Sequence, residues 1–530
     1  MKRRYTSVIV LMILSSLLIY GCRTHSNQQL HQQSVPSPLP ASDNQSIKPT
    51  ILILIDSLMD KPLRQAIEQG RAPALAYLFA NGHYFPQVVS SFPTMSVTID
   101  STMLTGTYAN QHHVPGLVWY NGKEKRMIYY GYGPKEALKI DQPQVLLDII
   151  QDLNQNQLNK ATKTVHEALA GQGKDSASIN AIVWRGKTKH VLQIPPLISL
   201  STPLPKKVKV TGPALLSYAA FAQLDPNQKK QKRIWRKYGM NDEFSAEEAA
   251  YLISQKKLPP LTITYFPEND MEVHRKGPST IEGIVKADKA LQVVLNAFGS
   301  WEKALNQAKW IVMGDSGQTA VLDNRKAATI DLRTLLSTYR IADISRHVEP
   351  GDQIVLAANE RMAYLYDLDA KLSLDDIVRH LQQEKRLDII ARKDGQRIVV
   401  TAGKSNSMVA FYPGGPETDE YGQSWTISGE PKLLDLTVTN NRIKYGKYPD
   451  VMARLYGAMN SHEGRYVIVT AAPGYELITE SSPTHIGGAA HGSLHEADSL
   501  VPVLVAGTST RPRTLRIVDM KEWLLRMVNE

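Results

Sequence analysis

Apolar positions along this chain alternate between short continuous runs and longer stretches with helical spacing. Helical spacing is found at residues 60–69, 73–80 and 281–298, where apolar side chains share one face. Continuous runs are typical of strands covered on both faces, as in a parallel sheet. These runs are found at residues 51–55, 178–184, 261–266, 310–313, 466–470 and 501–505. The alternation predicts an α/β fold, with a doubly wound, mostly parallel sheet that has helices on both faces.

Two stretches interrupt this alternation. Residues 186–258 carry many prolines and a basic run over residues 229–237. We expect a cap segment there, with the basic run either on a solvated helix face or facing an anionic polymer. Residues 346–463 have the pattern of an inserted α+β subdomain. We therefore expect one main domain assembled from residues 50–345 and 464–530.

Short signals locate elements within these stretches. Ser245 followed by Glu248 predicts a capping box at the start of a helix over residues 246–255. Asp394-Gly395 lies between two β-rich runs, which predicts a tight hairpin inside the inserted subdomain.

The N-terminus has the pattern of a targeting segment. Three cations at residues 2–4 precede an apolar stretch of 13 residues, which is shorter than the roughly 20 residues a membrane-spanning helix needs. The pattern resembles a bacterial lipoprotein signal over residues 1–21, cleaved before Cys22, which would carry the lipid. An ordinary signal peptide followed by a stray cysteine is the alternative. Residues 22–49 would then be a flexible tether that holds the protein to the extracytoplasmic face of a bacterial cell membrane.

The charge balance is basic, and one cysteine is present. The net charge of +10 falls to +7 once residues 1–21 are removed, because that segment carries three cations and no acid. Outside a cell, this charge favours anionic lipid or wall polymer, but it does not indicate specific nucleic-acid recognition. A single cysteine excludes a disulfide within the chain and argues against a thiolate metal site.

Three carboxylates are placed where a parallel sheet collects ligands. Asp56 and Asp315 follow continuous apolar runs closely, and Asp270 lies four residues after Phe266. In doubly wound sheets, ligands bind beyond the carboxyl ends of the strands, so all three side chains could face one crevice. A helix cap is the alternative role for a carboxylate at a strand end, such as Asp56.

Two histidines could join these carboxylates around a divalent ion. His274 follows Asp270 by four residues, which puts both side chains on one side of a helical turn. The prolines and glycine on either side of this pair indicate a rigid loop rather than a long helix. His491 lies in the Gly-rich stretch 487–492, where the backbone can approach a ligand closely. An exposed or hydrogen-bonded imidazole is the alternative for His491.

Ser96 lies at or next to the N-terminus of a helix predicted over residues 97–104. Free amides at that position stabilise a phosphate group. A metal ion bound to the Ser96 hydroxyl would lower its pKa and make it nucleophilic. The alternative is a plain Ser or Thr helix cap.

Five short motifs, some of which contain the candidate residues above, occur in a specific order along the chain. They are Phe92-Pro93-Thr94-Met95-Ser96, Leu104-Thr105-Gly106-Thr107-Tyr108, His112-His113, Tyr265-Phe266-Pro267-Glu268-Asn269-Asp270 and His274-Arg275-Lys276-Gly277-Pro278. In order and spacing they resemble the alkaline phosphatase superfamily, in particular its type I phosphodiesterase/nucleotide pyrophosphatase branch. The resemblance covers about residues 50–185, 259–325 and 464–510.

The resemblance implies a hydrolase of phosphate esters, either small or polymeric, that holds two divalent metal ions, with zinc favoured. It assigns Ser96, rather than Thr94, as the nucleophile that forms a phosphoseryl intermediate. It also assigns the ligands of each ion. One ion would be held by Asp270, His274 and His491, and the other by Asp56, Asp315 and Ser96.

Two positions depart from the family's pattern. The family usually has histidine directly after the acid that corresponds to Asp315, where this chain has Ser316. Ser316, water or a distant histidine such as His485 or His495 could complete the ligands of the second ion. That ion is expected to be weakly bound, exchangeable or harder than zinc. Nucleotide pyrophosphatases also hold a phosphoryl oxygen with an asparagine about 21 residues after the nucleophile. That place is Leu117 here, and Asn121 is the candidate substitute.

Four functions stay open on the sequence. A phosphodiesterase or nucleotide pyrophosphatase is favoured, and a phosphomonoesterase is close to it. The Ser316 position and the membrane anchor suggest a single-metal phosphoglycerol- or phosphoethanolamine-transferase-like enzyme. The fourth is a non-catalytic, lipid-anchored binding protein on a decayed catalytic scaffold.

Overall fold

The computed structural model describes residues 48–131, 142–201, 204–227, 239–343, 348–369, 371–480 and 482–530. The signal segment over residues 1–21, Cys22, the tether up to residue 47 and the basic run over residues 229–237 lie outside these ranges. Within them, no helix is both long and apolar enough to span a bilayer.

Strands and helices alternate through most of the described chain. The strands are β1 (Thr50–Ile55), β2 (Gly82–Val89), β3 (Val118–Asn121), β4 (Arg126–Tyr129), β5 (Ser176–Ile179), β6 (Thr188–Gln193), β7 (Lys207–Gly212), β8 (Leu215–Ser217), β9 (Leu261–Phe266), β10 (Lys309–Met313), β11 (Thr319–Ala320), β12 (Thr329–Asp331), β13 (Ile354–Asn359), β14 (Met362–Asp367), β15 (Leu387–Asp394), β16 (Arg397–Thr401), β17 (Val409–Thr418), β18 (Ser424–Gly429), β19 (Leu436–Thr439), β20 (Arg442–Tyr445), β21 (Arg465–Ala471), β22 (Glu476–Ile478), β23 (Ala489–Ala490) and β24 (Leu500–Ala506).

The helices are α1 (Asp60–Glu68), α2 (Pro73–Ala80), α3 (Ser96–Thr105), α4 (Ala109–His112), α5 (Gln142–Leu147), α6 (Val165–Gly171), α7 (Pro196–Ser201), α8 (Asp242–Ser254), α9 (Glu268–Lys276), α10 (Glu282–Asn296), α11 (Trp301–Gln307), α12 (Arg325–Ala328), α13 (Leu332–Leu335), α14 (Leu374–Leu381), α15 (Val451–Met459), α16 (Glu496–Ser499) and α17 (Met520–Asn529). A π-helix, Asp148–Gln157, continues α5.

The main layer is a seven-stranded sheet with the order β2-β24-β10-β1-β9-β5-β8. All neighbouring strands in it are parallel except for the two pairs that β24 makes. β1 lies at the centre, pairs with both β9 and β10, and is buried along its whole length. The predicted α/β fold, with a mostly parallel sheet flanked by helices, is confirmed.

A second sheet of nine strands is formed by residues 354–471. Its order is β13-β14-β21-β15-β16-β17-β20-β19, with β18 paired to β17. The predicted hairpin at Asp394-Gly395 is present and joins β15 to β16. β21, which the sequence pattern grouped with the main domain, instead lies between β14 and β15. Its residues pack alternately into two core clusters, one on each face, and a central antiparallel strand of this kind has the same continuous apolar run as a parallel one.

Part of the expected cap segment belongs to the main layer. β8 forms the edge of the main sheet beside β5, and α8 packs against β5 and β9. The capping box predicted at Ser245 is wrong, because α8 begins earlier and Asn241 caps it by accepting from the Phe244 N–H at 2.9 Å. The Ser245 hydroxyl lies inside the helix and donates to the Asn241 carbonyl at 3.2 Å. Asn241 can take the N-cap position instead of Ser245 because asparagine is as good an N-cap as serine.

A close helix contact positions the turn that follows β1. Gly283 in α10 lies against Asn269 in α9, where a Cβ on the glycine would overlap the asparagine. The Asn269 amide in turn donates to the carbonyl oxygens of Asp56, at 2.8 Å, and Ser57, at 2.9 Å. The packing of α9 on α10 therefore holds the backbone at the end of β1.

We expect Gly283→Ala to destabilise the fold by about 2 kcal/mol, because the added methyl group has no space against Asn269. Gly171 in α6 is the matched control, since a Cβ there would meet only Lys187 Nζ, at 3.7 Å. Alanine favours a helix over glycine by up to about 1 kcal/mol, so Gly171→Ala should be neutral or stabilising. Chemical unfolding of both variants measures the difference, and equal stabilities would contradict this packing.

Candidate active site

Three carboxylates converge where β1, β9 and β10 end. Asp56 follows β1, Asp315 lies two residues after β10, and Asp270 is in the first turn of α9, which follows β9. Because β1 pairs with both other strands, these ends are adjacent. Burial raises the pKa of Asp56 well above its usual range, and the charges of Asp315 and Asp270 raise it further. The three acids therefore repel one another in one crevice.

Asp270, His274 and His491 form a compact cluster. His274 Nε2 lies 3.2 Å from Asp270 Oδ1, and His491 Nε2 lies 3.8 Å from the same oxygen. Asp270 and His274 lie on α9, a helix of nine residues, rather than on the rigid loop that we predicted. Pro267 and Gly277 bound this helix at its two ends, so they limit its length without preventing it.

Hydrogen bonds through the other ring nitrogen orient both histidines. His274 Nδ1 lies 2.8 Å from the Ala489 carbonyl oxygen, and His491 Nδ1 bonds to the carbonyl oxygen of Thr94. A carbonyl only accepts, so each Nδ1 donates its proton and each Nε2 is directed at Asp270. Metal-binding histidines are typically held in this way. Burial opposes protonation of His274, but nearby carboxylates outweigh it and raise its pKa to about 10.

The Gly-rich loop reaches α9 because one of its residues lacks a side chain. A Cβ on Gly488 would overlap the carbonyl oxygen of His274. The next residue, Ala489, supplies the carbonyl that orients the His274 ring and pairs with Ala320 in the β11–β23 ribbon. His491 follows β23 directly. This close approach therefore holds His491 against α9.

Two carboxylate oxygens in the crevice, Asp56 Oδ1 and Asp315 Oδ2, are buried and accept no hydrogen bond from the described residues. The other oxygen of each group is held in place. The Tyr265 hydroxyl donates to Asp56 Oδ2, and the N–H groups of Ser57, at 2.8 Å, and Ser316, at 2.7 Å, donate to Asp315 Oδ1. An unpaired buried carboxylate oxygen is costly, and a divalent cation would satisfy both atoms. This donor set therefore fits a metal ion.

Ser96 is the first residue of α3, a helix of ten residues. It is partly exposed, although Met95 and Val97 on either side are buried. Burial raises the pKa of Asp315, whereas the Ser57 amide, the nearby Ser96 hydroxyl and His491 lower it. The serine hydroxyl therefore lies beside the Asp315 carboxylate, at a helix N-terminus that favours a phosphate.

The residues considered for a missing imidazole are used in other ways. Ser316 is fully buried, with its hydroxyl 3.2 Å from that of Ser57. His485 stacks on His274, with ring centroids 4.2 Å apart, and its Nδ1 lies 3.2 Å from Glu476. His495 caps α16 by accepting from the backbone of that helix. Both histidines therefore make their contacts with groups other than Asp56 and Asp315.

Asn121, the candidate for holding a phosphoryl oxygen, ends β3 in a hairpin. Its Nδ2 donates to Glu124 at 2.8 Å, and its Oδ1 accepts from the Lys123 N–H at 3.0 Å. It also lines a surface cavity together with Trp119 and several polar residues. Leu117, at the position of the family's asparagine, packs against the main core. Binding of substrate by Asn121 stays a prediction.

Sequence reasoning misses four residues of this crevice: Ser57, Tyr265, Gln318 and Glu360. Gln318 Nε2 donates to Asp270 Oδ1 at 2.6 Å and to Ser57 Oγ at 2.9 Å. Tyr265 begins one of the quoted motifs without a role assigned to it, and Ser57 and Gln318 lie within three residues of Asp56 and Asp315, so proximity could have suggested them. Glu360 lies in the turn between β13 and β14 of the second sheet, and no local signal marks it.

Comparisons with known proteins agree with this fold. The sequence profile of the family described as type I phosphodiesterase/nucleotide pyrophosphatase matches residues 50–417. A solved structure of murine ectonucleotide pyrophosphatase/phosphodiesterase 5, an inactive variant in complex with AMP, is similar with a TM-score of 0.52 and 14% identity. The human protein of that name gives a TM-score of 0.54, also at 14% identity. Each comparison covers 91% of this chain and 95% of the other. No curated protein sequence matches at a significant level.

We expect Gly488→Ala to lower hydrolysis of bis(p-nitrophenyl) phosphate by about 10²-fold or more, because the methyl group displaces the loop that carries Ala489 and His491. Gly171→Ala serves as the control, since it adds the same group in open space. The rate is measured with thermal unfolding alongside. Full activity in Gly488→Ala would show that this contact does not position His491.

Proposed function

Since the chain belongs to the type I phosphodiesterase/nucleotide pyrophosphatase family, we propose that it cleaves phosphate diesters through a covalent intermediate on Ser96, with divalent cations bound. Members of this family are metal-dependent phosphoric ester hydrolases, and this chain is accordingly a phosphoric ester hydrolase. The observation that carries the finer proposal is the convergence of acids, imidazoles and one hydroxyl from separate segments in one crevice.

The six candidate ligands fall into two sets. The first would hold one cation through imidazole and carboxylate groups: Asp270, His274 and His491. The second would hold another cation through oxygen atoms alone: Asp56, Asp315 and Ser96. The first set suits zinc, and the second suits a harder or more exchangeable ion. When bound, the cations supply positive charge that neutralises the phosphoryl oxygens and favours the ionised Ser96 hydroxyl.

Ser96 Oγ is the nucleophile in this proposal. It attacks the phosphorus in line, so that the new O–P bond forms as the bond to the leaving alcohol breaks. The phosphoseryl intermediate still carries the second alcohol of the diester. Water then hydrolyses its bond to Ser96, which releases a phosphate monoester and returns the free hydroxyl. The amides at the N-terminus of α3 share the negative charge of the bound phosphoryl group.

The proposed substrates are phosphate esters, including nucleotide esters. The complex of the similar murine protein with AMP supports a nucleotide substrate, although that protein is only 14% identical. A polymeric phosphate ester also suits a basic protein, and nothing in the crevice indicates recognition of a nucleic-acid sequence.

We also propose that the mature protein is anchored by lipid on Cys22 and acts outside the cytoplasm. This proposal rests on the pattern of cations, apolar residues and one cysteine at the start of the sequence.

We expect Ser96→Ala to lower diester hydrolysis by more than about 10³-fold, because the group that forms the covalent bond is removed. Ser101→Ala is the matched control on the same helix, since the Ser101 hydroxyl donates only to the Val97 carbonyl, at 2.7 Å. Acid quenching during turnover of bis(p-nitrophenyl) phosphate, followed by mass spectrometry, should find a p-nitrophenyl phosphoryl group on Ser96 and not on Thr94. If the purified wild-type protein hydrolyses no phosphate ester with zinc, manganese or calcium supplied, and Ser96→Ala changes nothing, the non-catalytic alternative is favoured.

A panel of esters separates the enzymatic alternatives. Preference for bis(p-nitrophenyl) phosphate over p-nitrophenyl phosphate supports a diesterase, and the reverse preference identifies a monoesterase. Transfer of the phosphoryl group to an added alcohol in preference to water would identify the transferase alternative, which the oxygen-only second set of ligands favours.

We expect Cys22→Ala to abolish lipid attachment and release the protein from the membrane fraction, because the thiol is the acceptor for the lipid. Mass spectrometry of the purified protein's N-terminus measures both cleavage and lipid. An unmodified Cys22 in the mature protein would support an ordinary signal peptide instead.

A further inference from the structure

The turn between β13 and β14 is buried, although hairpin turns usually lie at the surface. It consists of two charged residues, Glu360 and Arg361, which are 6% and 0% exposed. Arg361 has evident partners: it pairs with Asp498 and donates to Thr319 Oγ1 at 2.7 Å. These contacts anchor the tip of the second sheet against the main layer, beside the Gly-rich loop. They also fix the position of Glu360.

Glu360 is held in a conformation that carries a cost for its residue type. Its φ angle is +57°, in the left-handed region that non-glycine residues with long side chains rarely adopt. Residues held in such conformations persist where the surrounding structure determines them, and they cluster at functional sites. A buried, charged residue in this backbone conformation therefore indicates a functional role.

The Glu360 carboxylate faces both histidines of the first ligand set. Oε1 lies 3.7 Å from His274 Nε2, and Oε2 lies 3.9 Å from His491 Nε2. The corresponding distances from Asp270 Oδ1 to the two nitrogens are 3.2 and 3.8 Å. Asp270 thus approaches both nitrogens with a single oxygen, whereas Glu360 approaches each nitrogen with a different oxygen.

These separations are close to those between neighbouring donors around one ion, with each oxygen of the Glu360 carboxylate facing one imidazole. Ligands placed tetrahedrally at about 2.1 Å from zinc lie about 3.4 Å from one another. The four measured distances, from 3.2 to 3.9 Å, bracket that value. We propose that Glu360 is a fourth protein ligand of the cation held by Asp270, His274 and His491. The proposal rests on the proposed function in one respect only, namely that this cluster binds a metal ion.

The two ligand sets would then be unequal. The first cation would have four protein ligands, including two carboxylates and two imidazoles, while the second keeps only Asp56, Asp315 and Ser96. The substrate or a water would join the first cation as a fifth ligand, an expansion that zinc permits. We therefore expect one tightly bound and one exchangeable ion.

Glu360→Gln tests this assignment with little change in shape. In the wild-type protein, the backbone N–H of His491 donates to Glu360 Oε2 at 3.0 Å. The glutamine side chain keeps an oxygen that can accept this hydrogen bond, but it loses the negative charge that binds a cation. Glu272→Gln is the matched control, because Glu272 lies on α9 but pairs with Arg275 and Lys286 instead. After metal removal, each full mature protein is titrated with zinc alone against a chromophoric chelator.

We expect the wild-type protein and Glu272→Gln to bind one zinc ion tightly and Glu360→Gln to bind it about 100-fold more weakly or worse. The visible spectrum of the cobalt-substituted protein should change in Glu360→Gln only, since it reports the ligand geometry. Equal zinc affinity in Glu360→Gln and wild type would overturn the assignment while leaving the proposed function intact. Absence of metal binding in the wild type would instead overturn the proposed function.

If Glu360→Gln does not fold, Glu360→Asn is used, because asparagine tolerates a positive φ angle. A crystal structure of the zinc-loaded wild-type protein decides the question without any variant. A Glu360 oxygen at about 2.0–2.2 Å from the zinc would establish the ligand, and one beyond about 3 Å would refute it.

Discussion

Electrostatic repulsion among buried acids governs this crevice. Asp56, Asp315 and Glu360 are each at most 6% exposed, so water does little to screen them from Asp270. At one end, imidazoles balance the charge, and the pKa values of Asp270 and Glu360 are lowered although burial opposes it. At the other end, burial and neighbouring acids raise the pKa of Asp56. Cations are the natural means of balancing what remains.

The scaffold creates this concentration of charge through a few close backbone contacts. β1 places Asp56 between the strand ends that lead to Asp270 and Asp315. Gly283 allows α9 to pack tightly enough for Asn269 to hold the turn after β1. The second sheet meets the rest of the fold at the same place, since Arg361 donates to Thr319 Oγ1 at 2.7 Å and pairs with Asp498. The same contacts therefore hold the layers of the fold together and position the charged groups of the crevice.

The sequence predicted the fold class well because buried strands leave continuous apolar runs that helices do not. β9 matches its predicted limits, and β10 and β24 match theirs to within one residue at each end. The sequence did not predict which sheet each strand joins. β21 is buried on both faces, so its apolar run is the same whether it lies in the second sheet or in the first. Asp56, Asp270 and Asp315 could be anticipated because strand ends mark them. Glu360 could not, since only the docking of two sheets brings it to His274, and that contact joins residues far apart in sequence.

The chain order of the crevice has a consequence for biosynthesis. His274 and His491 lie more than 200 positions apart, with the whole second sheet between them. A growing polypeptide has no complete imidazole pair until the last tenth of the chain has begun to emerge. The proposed binding of a cation by this pair would therefore come late, after synthesis of nearly the entire protein, and a chain that ends before the Gly-rich loop would carry His274 without His491.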